Sequence, residues 1–170
     1  ISSVFFPILF VNGEIYDFND NFFYKQWTSV EIENELINFI LPLEDLEYIS
    51  EIEKMKNRIE ELNIVEFVNK YNTENYVFVL MDHKNKQLNI HLKTNFNDSK
   101  INKNIMYELD DIKNESKLNF ILKDLKTRIT DIWKSDNIIN LSIPLSIRIQ
   151  FQHKKLSDLD RLKKTFYKIS

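Results

Sequence analysis

Between Tyr16 and Trp27 the chain concentrates aromatic rings, Tyr16, Phe18, Phe22, Phe23, Tyr24 and Trp27, among Asp17, Asn19, Asp20 and Asn21. Rings of this kind stack on flat or sugar-like ligands, and carboxylates or amides beside them hold a ligand's polar groups. On that view Tyr16, Asp17, Asn21, Phe23 and Trp27 line a ligand or partner surface. The same residues also suit a structural role. Phe23 and Trp27 fall four apart, on one face of a helix, and an Asn or Asp just before them caps its first turn. On this second view the rings build core and the short polar residues close a helix end.

A second group of acids, Glu44, Asp45 and Glu47, follows Pro42. Carboxylates brought together do acid–base or metal work when their environments separate their pKa values. At a helix start they serve as caps and interact with the helix dipole. Asp45 is kept with the binding candidates. His83, His91 and His153 show no metal-ligand spacing and are expected at the surface, His83 in a turn and His91 on the polar face of a strand. Gly13 is the only glycine, so no nucleophile elbow can be written. No catalytic residue, metal site or cofactor is expected. Lys154, Lys155, Arg161, Lys163, Lys164 and Lys168 make one basic patch, diluted by Asp158 and Asp160, and are expected to form a solvated helix face.

The composition narrows the classes. The 170 residues are 43% hydrophobic and 13% aromatic, enough for a core in one domain. There are no cysteines, which removes disulfides and thiolate chemistry. A net charge of −3 with both signs mixed along the chain argues against a nucleic-acid binder. No apolar run reaches the roughly 20 residues of a membrane helix. The start at Ile1, without methionine, leads us to expect a removed segment upstream.

The elements that must position these residues follow from periodicity. Residues 4–11 are a continuous apolar run, a buried strand, with Pro7 placing one point near an edge. Asn12-Gly13 is a turn from which 14–17 pairs back. A short helix covers 22–27. Residues 36–43 read as a second strand. Ile49, Ile52, Met55, Ile59 and Leu62 form one face of a helix that Asp45 can cap, and 64–71 forms another, with Val65, Val68 and Tyr71 inward. Residues 76–81 make a central strand, 82–86 a turn, and Leu88, Ile90 and Leu92 alternate as its hairpin partner. A polar loop over 95–104 leads to a strand over 105–109. The longest helix carries Leu118, Ile121, Leu122, Leu125, Ile129, Ile132 and Trp133 inward, with Lys123, Lys126, Arg128 and Lys134 toward water. Strict alternation over 141–152 predicts a further strand, and a helix capped at Ser157 follows. Strands interleaved with helices predict an α/β or α+β sandwich, a mixed sheet of about five to six strands flanked by helices. Residues 1–138 form the core domain, and 139–170 a strand-helix unit opening a second subdomain.

Two segments resemble the proteobacterial family known as domain of unknown function 2066, whose members are largely predicted envelope proteins. Phe6-Pro7-Ile8-Leu9, Tyr16-Asp17, and Asn21-Phe22-Phe23 with Trp27 resemble its strand, its aromatic-acidic turn and its Asn-Pro-Trp-x-x-x-Trp element. Leu41-Pro42-Leu43-Glu44-Asp45-Leu46-Glu47 resembles its Pro-Leu-Gly-Asp-Leu-Glu-Asp element. Phe22, Phe23 and Glu44 depart from the pattern, standing where the family has proline, tryptophan and glycine. The resemblance implies a bacterial, periplasmic setting and assigns no activity. The expected function is a non-enzymatic binding or assembly module with an envelope protein as partner. The alternatives are a hydrolase of envelope material using Asp17, Asp20 or Asp45, and a small-ligand sensor.

Overall fold

The run of apolar residues after Ile1 becomes β1 (Ser2–Val11), and every side chain from Val4 to Val11 is buried. A strand with both faces covered needs layers on both sides, and the chain supplies them. The computed structural model describes residues 1–33, 35–43, 45–55, 58, 61–137 and 164. All of these but Lys164 belong to one compact unit, Ile1–Ile138. Apart from Lys164, the subdomain expected from 139 onward, with its strand, its helix, His153 and the basic patch, lies outside the described residues.

Six strands and four helices are present among the described residues. After β1 come β2 (Glu14–Tyr16), α1 (Phe22–Gln26), β3 (Asn38–Ile40), α2 (Leu46–Met55) and α3 (Ile64–Val68). Then follow β4 (Tyr76–Lys84), β5 (Gln87–Phe96), β6 (Ser99–Glu108) and α4 (Glu115–Asp136). The sheet runs β2-β1-β4-β5-β6, with β3 also on β1, giving the mixed α+β sheet expected. β1 pairs parallel with both β3 and β4, so α2 and α3 form the crossover between the strands that flank it. β4, β5 and β6 continue as an antiparallel meander.

Three two-residue turns set the antiparallel registers, Asn12-Gly13, Asn85-Lys86 and Asn97-Asp98, and all six residues have positive φ. Positive φ at both positions is the backbone of a type I′ turn, whose twist matches that of the strands it joins. Here the structure corrects two expectations. The segment 82–86 is mostly strand, because β4 runs on to Lys84. The polar loop expected over 95–104 is the end of β5, a tight turn and the first half of β6.

One face of the sheet packs Phe5, Leu9, Val77, Val79, Met81, Leu88, Ile90 and Leu92 against Phe23, Trp27 and the apolar stripe of α4. The other packs Val4, Phe6, Ile8, Phe10, Phe78 and Leu80 against Ile52, Leu62, Ile64, Phe67 and Val68. Val65, expected inward, is exposed, and Phe67 takes the buried place. Of the helix expected with Ile49, Ile52, Met55, Ile59 and Leu62 on one face, the structure describes Leu46–Met55; Ile59 lies outside the described residues, Leu62 is not helical, and the strand expected over 36–43 is only Asn38–Ile40.

Two polar side chains expected at the surface are buried. His83 sits in β4, where Nε2 donates to the Leu109 carbonyl at 2.8 Å, which ties the end of β6 to the sheet. Lys126, expected to face water, is 2% exposed on α4. Its Nζ donates to the Val30 carbonyl at 2.6 Å and to Glu35 Oε1 at 3.0 Å, and lies 5.2 Å from the Trp27 ring. A buried ammonium is tolerated only with such partners. It straps the segment after α1 onto α4.

β6 is held to α4 by a second polar group. The Tyr107 hydroxyl donates to Asp124 Oδ2 at 2.5 Å, and Arg128 Nε donates to the same oxygen at 2.7 Å. Burial works to raise the Asp124 carboxyl, but the Tyr107 and Arg128 hydrogen bonds outweigh it and hold it below the usual carboxylate range. Burial, then the bond to Asp124, pushes the Tyr107 phenol far above its ordinary value. Between its folded and unfolded pKa values Asp124 is protonated only when unfolded, so its contribution is present above the ordinary carboxylate pKa and lost as pH falls. Tyr107 contributes below about pH 10, and that contribution is lost as pH rises and the unfolded phenol ionises first. Tyr107→Phe should therefore cost about 1 kcal/mol at pH 7 and flatten both limbs of a plot of urea midpoint against pH. Unchanged limbs would show that the contact is not formed in solution.

Candidate functional site

The segment from Tyr16 to Trp27 folds as a corner around the edge of β1. Asp17 opens it, its Oδ1 accepting from the Asp20 amide at 2.9 Å. Asn21 is fully buried and caps α1, with Oδ1 accepting from the amides of Phe23 at 3.0 Å and Tyr24 at 3.3 Å. Its Nδ2 donates to the Pro7 carbonyl at 2.8 Å. That carbonyl lies in a gap in the outer edge of β1, since β3 covers Ser2–Val4 and β2 covers Leu9–Val11. Pro7 brings no N–H to the gap, and the one acceptor it does bring is satisfied by Asn21.

The aromatics then divide between the two faces of the sheet. Phe23 and Trp27 point into the α4 side, where Trp27 stacks on Phe5 with centroids 3.5 Å apart and meets Phe39 edge-on at 5.2 Å. Phe18 and Tyr24 stack on each other at 4.3 Å beside the α2–α3 side, and the Tyr24 hydroxyl donates to the Pro42 carbonyl. Asp45 pairs with Lys70 Nζ at 3.2 Å. Of the six residues expected at a binding surface, Asn21, Phe23 and Trp27 are interior, Asp17 organises a turn, and Asp45 stands with Lys70. Glu44 lies outside the described residues.

Tyr16 alone of the six lines a groove. This groove, of about 560 Å³, opens between α1 and the start of α4. Leu9, Phe22, Ile112 and Leu118 supply its apolar walls beside Tyr16. Asp20, Lys25, Lys113 and Glu115 supply two acids and two ammonium groups on the same lining. Asn114 caps α4 next to them, its Oδ1 accepting from the Lys117 amide. A lining with apolar walls and charges of both signs suits a ligand that is itself mixed, with an apolar or aromatic group and both a cationic and an anionic end. Asp20 is the only one of Asp17, Asp20 and Asp45 among the lining residues.

Phe22 and Lys25 stood inside the aromatic stretch from the outset. Ile112, Lys113, Glu115 and Leu118 lie some 90 residues later, and no motif marks them. They reach the groove because α4 packs against α1. His91 sits elsewhere, on β5, with Nδ1 donating to Asn104 Oδ1 at 2.7 Å. Among the described residues no three His, Asp or Glu side chains come together as metal ligands, and no helix is long and apolar enough to cross a membrane.

No family model matches the chain, and neither a curated protein nor a solved structure is detectably similar to it.

Proposed function

We propose that this chain is a binding or assembly module of the bacterial envelope that works by holding a partner rather than by turnover. The partner is an envelope protein, which presents a short segment with an apolar side chain flanked by charges of both signs to the groove beside α1. The observation that carries this reading is the lining itself, Tyr16 and Phe22 with Leu9, Ile112 and Leu118, ringed by Asp20, Lys25, Lys113 and Glu115. Its volume is in the range of natural ligand sites, about 300–1,000 Å³. The periplasmic setting is supported by the resemblance carried by Phe6-Pro7-Ile8-Leu9, Tyr16-Asp17 and Asn21 to Trp27.

The test is an NMR titration of the chain with short blocked peptides that combine one aromatic, one acidic and one basic residue. Shifts should concentrate at Tyr16, Phe22, Lys25, Lys113 and Glu115. Lys25→Glu with Lys113→Glu should weaken binding at least about tenfold, the effect expected when two like-charge contacts replace favourable ones. Shifts that centre elsewhere, or turnover of the peptide, would overturn the proposal. Free amino acids that bind as tightly as the peptides would favour a small-ligand sensor instead.

A further inference from the structure

β6 pairs with β5 in unbroken register, from Phe96↔Ser99 to Gln87↔Glu108. Among the described residues no strand pairs with its other side. The strand has no proline and no bulge, two of the usual devices that blunt a sheet edge. Its two-residue turn, Asn97-Asp98, with φ of 50° and 68°, closes on a hydrogen-bonded pair, Phe96 with Ser99. Counting by twos from Ser99, the backbone groups of Ile101, Lys103, Ile105 and Tyr107 turn toward β5. Those of Lys100, Asn102, Asn104, Met106 and Glu108 point outward.

We propose that β6 pairs antiparallel with β6 of a second copy, about a two-fold axis through Asn104, joining two sheets into one. Outward-pointing residues must stand opposite one another, which leaves three registers that keep at least four of those five residues opposed. Centred on Lys103, the pairing sets two lysines against each other, a repulsive contact. Centred on Ile105, it carries Lys100 past the end of the opposing strand. Centred on Asn104, it sets Lys100 opposite Glu108 at both ends and Asn102 opposite Met106. On the α4 side it then sets Ile101 against Tyr107 and Lys103 against Ile105.

Charge complementarity thus selects a second copy of this chain and one register. A separate observation points to the same edge. Met106 and Phe120 are two of the six large apolar side chains exposed among the described residues, each at 62%. Met106 is on β6. Phe120 is one helical turn before Asp124, the residue that bonds Tyr107 of β6, so it stands on the α4 flank of the same edge. A second copy laid along β6 adds cover on both flanks. The strand contact by itself is smaller than a standard interface of about 1,600 Å², so the dimer should be reversible.

Sedimentation of the 170-residue chain from about 5 to 200 µM should show monomer giving way to dimer, the range expected of a small interface. Lys100→Glu or Glu108→Lys alone should weaken the dimer about tenfold, because each reversal creates two like-charge pairs. The double exchange should restore it. The chain has no cysteine, so Asn104→Cys introduces a single thiol. Hydrogen-bonded antiparallel partners sit with Cα atoms about 5.5 Å apart, within disulfide reach, and this variant should cross-link faster than Lys103→Cys or Ile105→Cys. A chain monomeric throughout overturns the proposal, as does a dimer indifferent to the charge reversals. Faster cross-linking at 103 or 105 overturns the register. A monomer whose Asn102, Asn104 and Met106 amides resist hydrogen exchange has that edge filled from within the chain, and also overturns it.

Discussion

Trp27→Ala should destabilise the fold by about 3–5 kcal/mol, a large share of the roughly 5–15 kcal/mol that holds a domain of this kind. Trp27 is 0% exposed, stacked on Phe5, edge-on to Phe39 and beneath Lys126. Removing the indole leaves a cavity between β1, β3 and α4, and takes away the ring face beside a buried ammonium. Trp27→Phe should be far milder, about 1 kcal/mol, since it keeps a ring in the stack and the indole N–H has no acceptor among the described residues. Urea unfolding followed by far-ultraviolet circular dichroism separates the two. If Trp27→Ala kept its midpoint and lost only peptide binding, the ring would belong to a site and not to the core.

Asn21→Ala carries the second large effect, about 2–4 kcal/mol. One part is the lost helix cap, about 1 kcal/mol. The rest is the Pro7 carbonyl left buried without its donor, about 1–3 kcal/mol. Asn21→Ser keeps a capping oxygen but loses the donor to Pro7, so it should fall between wild type and alanine. Asn21→Asp is the sharper probe, because it keeps the cap and turns a donor into a buried carboxylate facing a carbonyl. At pH 7 it should be worse than alanine, and on acidification it should partly recover, since a protonated carboxyl can donate to Pro7. An aspartate variant as stable as wild type at pH 7 would mean that the Asn21–Pro7 bond contributes little.

These two residues show how far the sequence could be read. The strand around Pro7, the Asn12-Gly13 turn, the cap at Asn21, and the shared burial of Phe23 and Trp27 are local matters, and local residue types decide them. What could not be read depended on partners far along the chain. Lys126 lies beside the apolar stripe of α4 and looks like a solvated charge until Val30 and Glu35 are brought to it. His83 looks like part of a turn because Asp82, His83 and Lys84 are polar, yet the meander carries β4 through them. β6 hid inside a polar stretch because its outer face is Lys100, Asn102 and Asn104, and Lys103 interrupts the apolar alternation of Ile101 and Ile105. The groove was half legible for the same reason: Tyr16, Asp20, Phe22 and Lys25 come from one stretch, and Ile112 to Leu118 join them only through packing.

The divided outer edge of β1 bears on how large an assembly can become. One end of that edge is taken by β3, the other by β2, and the interval between them by the Asn21 side chain. The strands that form this margin are three residues long, too short to template another sheet. Among the described strands, only β6 offers a long free margin, so a copy that joins through β6 has, among those strands, nothing comparable left to offer a third. Pairing through that one margin is self-terminating as far as these strands go: it yields a closed pair with two-fold symmetry, where two open margins among them would allow a filament.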